Sequence, residues 1–143
     1  MATVARVPVT FRVIALLSLF WNGFGGFDFI MTQWRDPDYI AQLPSDMIYY
    51  LDHMPPWAVF AWALGVWGSV LGSLLLLARS HLAVIAFAAS LFGLAVSTVY
   101  QLSGDPTPGM TTPAMLVMTG IIWVSLIFFL WYSRRAKAKG WLR

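Results

Sequence analysis

Residues 56–102 read PWAVFAWALGVWGSVLGSLLLLARSHLAVIAFAASLFGLAVSTVYQL. Two apolar runs, Pro56–Ala78 and His81–Leu102, are divided only by Arg79 and Ser80. A helix needs about 20 residues to cross a hydrocarbon layer of about 30 Å, and each run has enough. So short a connection forces the second helix back along the first, giving an antiparallel hairpin. The surfaces between them carry small residues. Gly65, Ser69 and Ser73 recur every four residues with Gly68 and Gly72 one position earlier, and Ala89, Gly93 and Ser97 repeat the spacing. Such stripes let backbones approach closely where lipid supplies no hydrophobic drive.

Two further runs of similar length flank the hairpin, at about 11–31 and 113–133. Of the 143 residues, 59% are hydrophobic and 10% charged. A soluble domain carries about 25% charged residues, so the deficit points to lipid as solvent. The expectation is an all-α membrane protein: residues 1–143 form a single polytopic domain, an antiparallel four-helix transmembrane bundle. The runs are too long, and alternate too little, for a β-barrel. The first run is read as a span, since no small-x-small cleavage site follows it. No internal repeat is visible.

Composition removes several chemistries. There is no Cys, hence no disulfide, thiolate metal site or thiol nucleophile. No nucleophile stands beside a base, and no phosphate-cradling Gly loop occurs, so a non-catalytic protein is expected. His53 and His81 fall at opposite ends of the spans, too far apart to share a metal or haem. No cofactor is expected. The net charge of +3 does not mark a nucleic-acid binder, because the basic residues collect at membrane borders.

Arg6, Arg12, Arg79, Arg134, Arg135, Lys137, Lys139 and Arg143 fall on one side of the predicted bundle. Arg35 lies on the other, among Asp36, Asp38, Asp46, Asp52 and Asp105. The positive-inside rule puts both termini in the cytoplasm. Trp34, Trp57, Trp131 and Trp141, with Arg134 and Arg135, are the expected interfacial anchors, and 134–143 a basic cytoplasmic tail.

The outer connection between the first two spans is the longest and is partly helical. Asp36-Pro37-Asp38 is a helix start, and Ser45 with Asp46 a second. In the second, Met47, Leu51 and Met54 share a face, as in an amphipathic helix lying on the outer surface. The third connection is turn-rich, and Thr111 or Thr112 caps the helix beginning at Pro113.

Within the first span, Trp21–Gln33 reads WNGFGGFDFIMTQ. Asp28 is an acid at membrane depth, costly and so a functional candidate. At about 1.5 Å per residue it stands about 24 Å above Arg12, in the outer leaflet. Thr98, Tyr100 and Gln101 reach the same depth in the third span. The expected site is therefore a periplasm-facing polar pocket of Asp28, Thr98, Tyr100 and Gln101, with the outer loop as lid and Asn22 its deepest member. The plainer alternative is that Asp28 and Asn22 only hydrogen-bond neighbouring helices. Gly23, Gly25 and Gly26 are assigned to helix packing.

At WNGFGGFDFIMTQWR (21–35) and AWALGVWGSVLGSLLLLARSHLAV (61–84) the chain resembles a family of small bacterial inner-membrane proteins, often labelled "sugar transporter". The resemblance implies a multi-pass protein of the bacterial inner membrane and small-solute transport. The residues themselves favour an accessory or structural subunit packing within a larger membrane assembly. Its partners would be the lipid bilayer and other membrane subunits or further copies of itself. A small-solute transporter or binding protein, for a sugar-like or cationic ligand, is the alternative.

Overall fold

A computed structural model describes residues 6–103 and 110–143. The turn expected at 104–109, Asp105 included, and the first five residues lie outside the described residues. The elements are α1 (Val9–Gln33), α2 (Pro37–Ile40), α3 (Ser45–Asp52), α4 (Pro56–Leu77), α5 (Leu82–Ser103) and α6 (Pro113–Ala138). No strand occurs among the described residues. α1, α4, α5 and α6 are each long and apolar enough to cross a membrane, and they pack together as an all-α four-helix bundle. The two chain ends share one face of the bundle, here the terminal face; α2 and α3 form the opposite, loop face.

Helix starts follow their local chemistry. Asp36 caps α2, its carboxylate accepting from the Tyr39 amide at 3.0 Å. Thr112 caps α6 through the Met115 amide, with Pro113 at the first position. Ser45 departs from expectation: Pro44 is the N-cap of α3, and no side chain caps that helix. Three helix ends reverse the chain with paired 5→2 and 6→1 hydrogen bonds, one residue in each taking a left-handed conformation. These residues are Arg35 (φ 55°), Arg79 (φ 62°) and Gly140 (φ 69°). α6 runs on to Ala138, beyond the expected end at Ser133. Arg135 and Lys137 in its last turn are good helix formers and oppose the negative end of the helix dipole.

The α4–α5 interface is the most extensive, followed by α1–α4 and α5–α6. On α4, Gly65, Gly68 and Gly72 meet α5. Cβ atoms built at these positions would touch the Leu94 backbone (3.3 Å), Ser90 (3.0 Å) and the Phe87 ring (2.9 Å). Ser73 instead faces α1, where its hydroxyl meets Ser18, and Ser69 bonds back to the Val66 carbonyl. On α5 Phe87, Ser90, Gly93 and Leu94 meet these glycines, so Gly93 of the expected series Ala89, Gly93 and Ser97 is in the contact. A strict four-residue repeat drifts by about 40° per step, and Ser97 lines the cavity in the loop half. Gly26 leaves room for the Trp67 ring. Gly23 and Gly25 do not serve the packing expected of them, for a Cβ on either would meet nothing within 4 Å.

The hydrophobic core lies in the terminal half. Phe11, Ala15, Leu76, Ala83, Phe87, Leu126, Phe129, Ala136 and Leu142 form one buried cluster, with Phe87 stacked on Phe129. The last residues seal this end. The Trp141 ring packs edge-on against Phe11 at 5.9 Å, and its carbonyl accepts from Arg79 Nε at 2.9 Å. Trp141 is therefore part of the fold where a headgroup anchor was expected. Trp34, Trp57 and Trp131 do remain more than half exposed. Arg134 and Arg135 are exposed too, with the Arg135 guanidinium 5.4 Å from the Trp131 ring centre.

Candidate ligand cavity

In the loop half the helices do not close on one another. They surround a cavity of about 270 Å³. α1 contributes Asp28 and Thr32; α4 contributes Ala58 and Trp62; α5 contributes Leu94, Ser97, Thr98, Tyr100 and Gln101. α6 supplies Met115, Met118, Thr119 and Ile122. Leu43, Met47, Tyr50, Leu51 and Met54 close it from the loop face. The amphipathic side of α3 thus turns into the protein, where a seat on the outer lipid surface was expected. The reason is competition: Met47 and Leu51 find a half-closed apolar space directly beneath them, and filling it removes more apolar area from water than lying at a wet interface.

Asp28, Thr98, Tyr100 and Gln101 line this one space, although the main partner of α1 is α4. Their polar atoms are differently engaged. The Thr98 hydroxyl donates to Leu94 O at 2.8 Å and accepts from Trp123 Nε1 at 3.1 Å, joining α5 to α6. Gln101 Nε2 donates to Met110 O at 3.0 Å and fixes the approach to α6. The Ser97 hydroxyl, on the cavity wall, is buried and has no hydrogen-bond partner among the described residues. Tyr100 packs against Tyr50 (5.6 Å between ring centres) and Trp57 (5.2 Å). Burial pushes the Tyr50 phenol up to about 12, with the neighbouring Tyr100 adding to the shift.

Asn22 lies outside the cavity. Its Nδ2 donates to Ser73 Oγ at 2.9 Å and to Ser18 Oγ at 3.3 Å, and the two hydroxyls are 2.6 Å apart. This buried triad binds α1 to α4. The helix turns 100° per residue, so Asn22 faces α4 while Asp28, six positions on, points about 120° away.

Asp28 stands at the mouth of the cavity, exposed on one side. Its carboxylate accepts a hydrogen bond from the Tyr39 hydroxyl of α2. The Tyr39 ring also packs edge-on against Phe27. Burial first, then the bond to Asp28, pushes the Tyr39 phenol up to about 12. Arg35, the nearest cation in sequence, is committed elsewhere: it pairs with Asp52 at 2.6 Å, tying the end of α1 to the end of α3. This is the one ion pair among the described residues.

Two features of the site went unread in the sequence. One is Tyr39, which an N-capped turn places beneath the loop; its cue was the Asp36-Pro37-Asp38 start three residues earlier. The other is methionine. Met47, Met54, Met110, Met115 and Met118 line the cavity, five of the seven in the chain. The spacing of Met115 and Met118, one helical turn, was the available signal.

The fold defines an integral membrane protein with four spans. Comparisons with protein-family models, curated proteins and solved structures give no match.

Proposed function

We propose that the chain is a non-catalytic membrane binding protein, or the binding component of a small-solute transporter, that takes a small amphipathic molecule in its loop-half cavity. One observation carries this reading: an apolar cavity of about 270 Å³, bounded by all four spans and α3, with Asp28 at its mouth and, in its wall, the Ser97 hydroxyl, unpaired among the described residues. Ligand sites are concave and mostly apolar, with a few placed polar groups. Helices that serve only as packing elements have no use for such a space, since each unfilled void forfeits dispersion contacts. A sugar fits poorly, because its many hydroxyls would go unpaired against thioethers and rings.

The charge pattern supports an orientation. Arg79, Arg134, Arg135, Lys137, Lys139 and Arg143 lie at the terminal face, while Asp36, Asp38, Asp46 and Asp52 lie at the loop face. With basic residues inside, the cavity opens outward, to the periplasm of a bacterial inner membrane.

The reading is tested with N-phenyl-1-naphthylamine, a neutral amphipathic dye, on the purified protein in detergent. Saturable binding, detected by energy transfer from the chain's tryptophans and abolished by Met118→Trp, is expected. Binding that stays linear with dye, or that Met118→Trp leaves intact, would remove it.

An accessory subunit of a larger assembly is the second reading. It is favoured by α6, which buries only 11% of its most apolar window against 22–28% for the other spans. A stable co-purifying chain in mild detergent would support it.

A further inference from the structure

We infer that the cavity ligand is an organic cation: a compact apolar or aromatic body bearing a substituted ammonium group, held with its charge at Asp28. This rests on the cavity being a binding site.

Charge is the first ground. Among the described residues Asp28 is the one charged residue of the cavity lining, and no Lys, Arg or His of theirs lines it. Arg35 is taken by Asp52. Among the described residues the carboxylate therefore has a hydroxyl donor, Tyr39, and no cation. A carboxylate at membrane depth is costly unless paired, and an incoming cation supplies the missing charge.

The walls narrow the class. Tyr50, Tyr100 and Trp62 present rings, and ring faces attract ammonium groups. Five thioethers add polarizable, adaptable surface suited to an apolar body. A hard metal ion is mismatched, since Mg²⁺ and Ca²⁺ take six or more oxygens. Among the described lining residues only Asp28 is a carboxylate; the other side-chain oxygens are neutral hydroxyls and the Gln101 amide, and the Thr98 hydroxyl is already committed to Leu94 and Trp123. A soft metal would use the thioethers. Yet about 270 Å³ of open space is a ligand-sized volume, far from ligands closed on a single ion. A neutral apolar molecule would leave Asp28 unpaired.

Tyr39 gives the site a built-in competitor. An ammonium group that contacts Asp28 competes with the Tyr39 hydroxyl for the same carboxylate, so occupancy loosens the tie between α2 and α1.

The test uses an isosteric pair, phenyltrimethylammonium and tert-butylbenzene, which share shape and differ in charge. Binding of each to the full-length protein in detergent is measured by displacement of N-phenyl-1-naphthylamine. The ratio of the two affinities in wild type is compared with that in Asp28→Asn, whose fold is checked by its thermal midpoint. The cation preference should fall at least tenfold in Asp28→Asn, with tert-butylbenzene binding retained. An unchanged ratio overturns the cation assignment and leaves the cavity reading standing. Failure of both probes to displace the dye in wild type, or no saturable dye binding at all, overturns both. Should Asp28→Asn not fold, Tyr39→Phe serves: it strips Asp28 of its hydroxyl donor and should bind phenyltrimethylammonium several-fold more tightly. Equal or weaker binding by that variant counts against the assignment.

Discussion

Gly93 of α5 lies so close to Gly65 of α4 that a Cβ on Gly93 would stand 2.5 Å from the Gly65 amide nitrogen. The same atom would be 2.7 Å from the Ala61 carbonyl oxygen. Both obstacles are backbone, which cannot rotate away as a side chain can. Gly93→Ala must therefore push the α4–α5 hairpin apart, and overpacking of this kind costs about 1–3 kcal/mol. Gly23→Ala is the control. A methyl there meets nothing within 4 Å, and replacing a helical Gly gains up to about 1 kcal/mol. Thermal unfolding in detergent should show Gly93→Ala melting lower than wild type and Gly23→Ala melting at or above it.

The hairpin was legible in the sequence because its signals are local: two apolar runs, a two-residue connection and glycines one turn apart. Which neighbour each small residue meets was not. Gly65 and Ser73 lie on one written stripe, yet Gly65 meets α5 and Ser73 meets α1. A helix with two partners divides one stripe between them, and only the bundle's arrangement decides where. The cavity was half legible. Depth alone put Asp28, Thr98, Tyr100 and Gln101 at one level. The inward turn of α3, the bond from Tyr39 and the gathering of methionines depend on helices splaying at the loop face, which no pattern within a single helix encodes.

Ser18, Asn22 and Ser73 share hydrogen bonds across α1 and α4 at full burial. Side-chain hydrogen bonds between membrane helices contribute about 0.6–2 kcal/mol. Ser73→Ala removes a partner from both other members and should destabilise by about that amount. Because Asn22 then has only the longer bond to Ser18, adding Asn22→Leu should cost less than it does alone. A double-mutant cycle on thermal or denaturant unfolding reads the coupling. Additive effects would show the triad to be energetically inert.

The Tyr39 phenol is held up near 12 from an ordinary value of 10.0 by burial and by its bond to Asp28. The fold thus favours the protonated phenol. That contribution is whole below pH 10 and is lost as pH rises toward about 12, so α2 should loosen only in strong alkali. Tyrosinate absorbance at 295 nm checks it. Tyr39→Phe should remove one late-titrating phenol and leave that of Tyr50, which also titrates near 12. If the late absorbance is unchanged in Tyr39→Phe, the bond to Asp28 is not formed in solution.

Arg35 and Arg79 close two helix ends with φ of 55° and 62°, a region that suits glycine better than any residue with a Cβ. A left-handed residue with a Cβ costs about 1–2 kcal/mol, and glycine offsets about 0.4–1 kcal/mol of that relief by freeing the unfolded chain. Their side chains decide whether the gain survives. Arg35 holds only an exposed pair with Asp52, and such pairs contribute well under about 1 kcal/mol. Arg35→Gly should therefore raise the melting temperature slightly. Arg79 Nε donates to the Trp141 carbonyl, and the Arg79 carbonyl receives the Arg143 amide at 2.6 Å, so this residue also clamps the chain end. Glycine at 79 keeps the carbonyl and loses the guanidinium, which offsets the gain. Arg79→Gly should melt no higher than wild type, and Trp141 should become more accessible to a soluble fluorescence quencher. Equal stabilisation by both substitutions would mean that the contact between Arg79 and the last residues adds nothing to the fold.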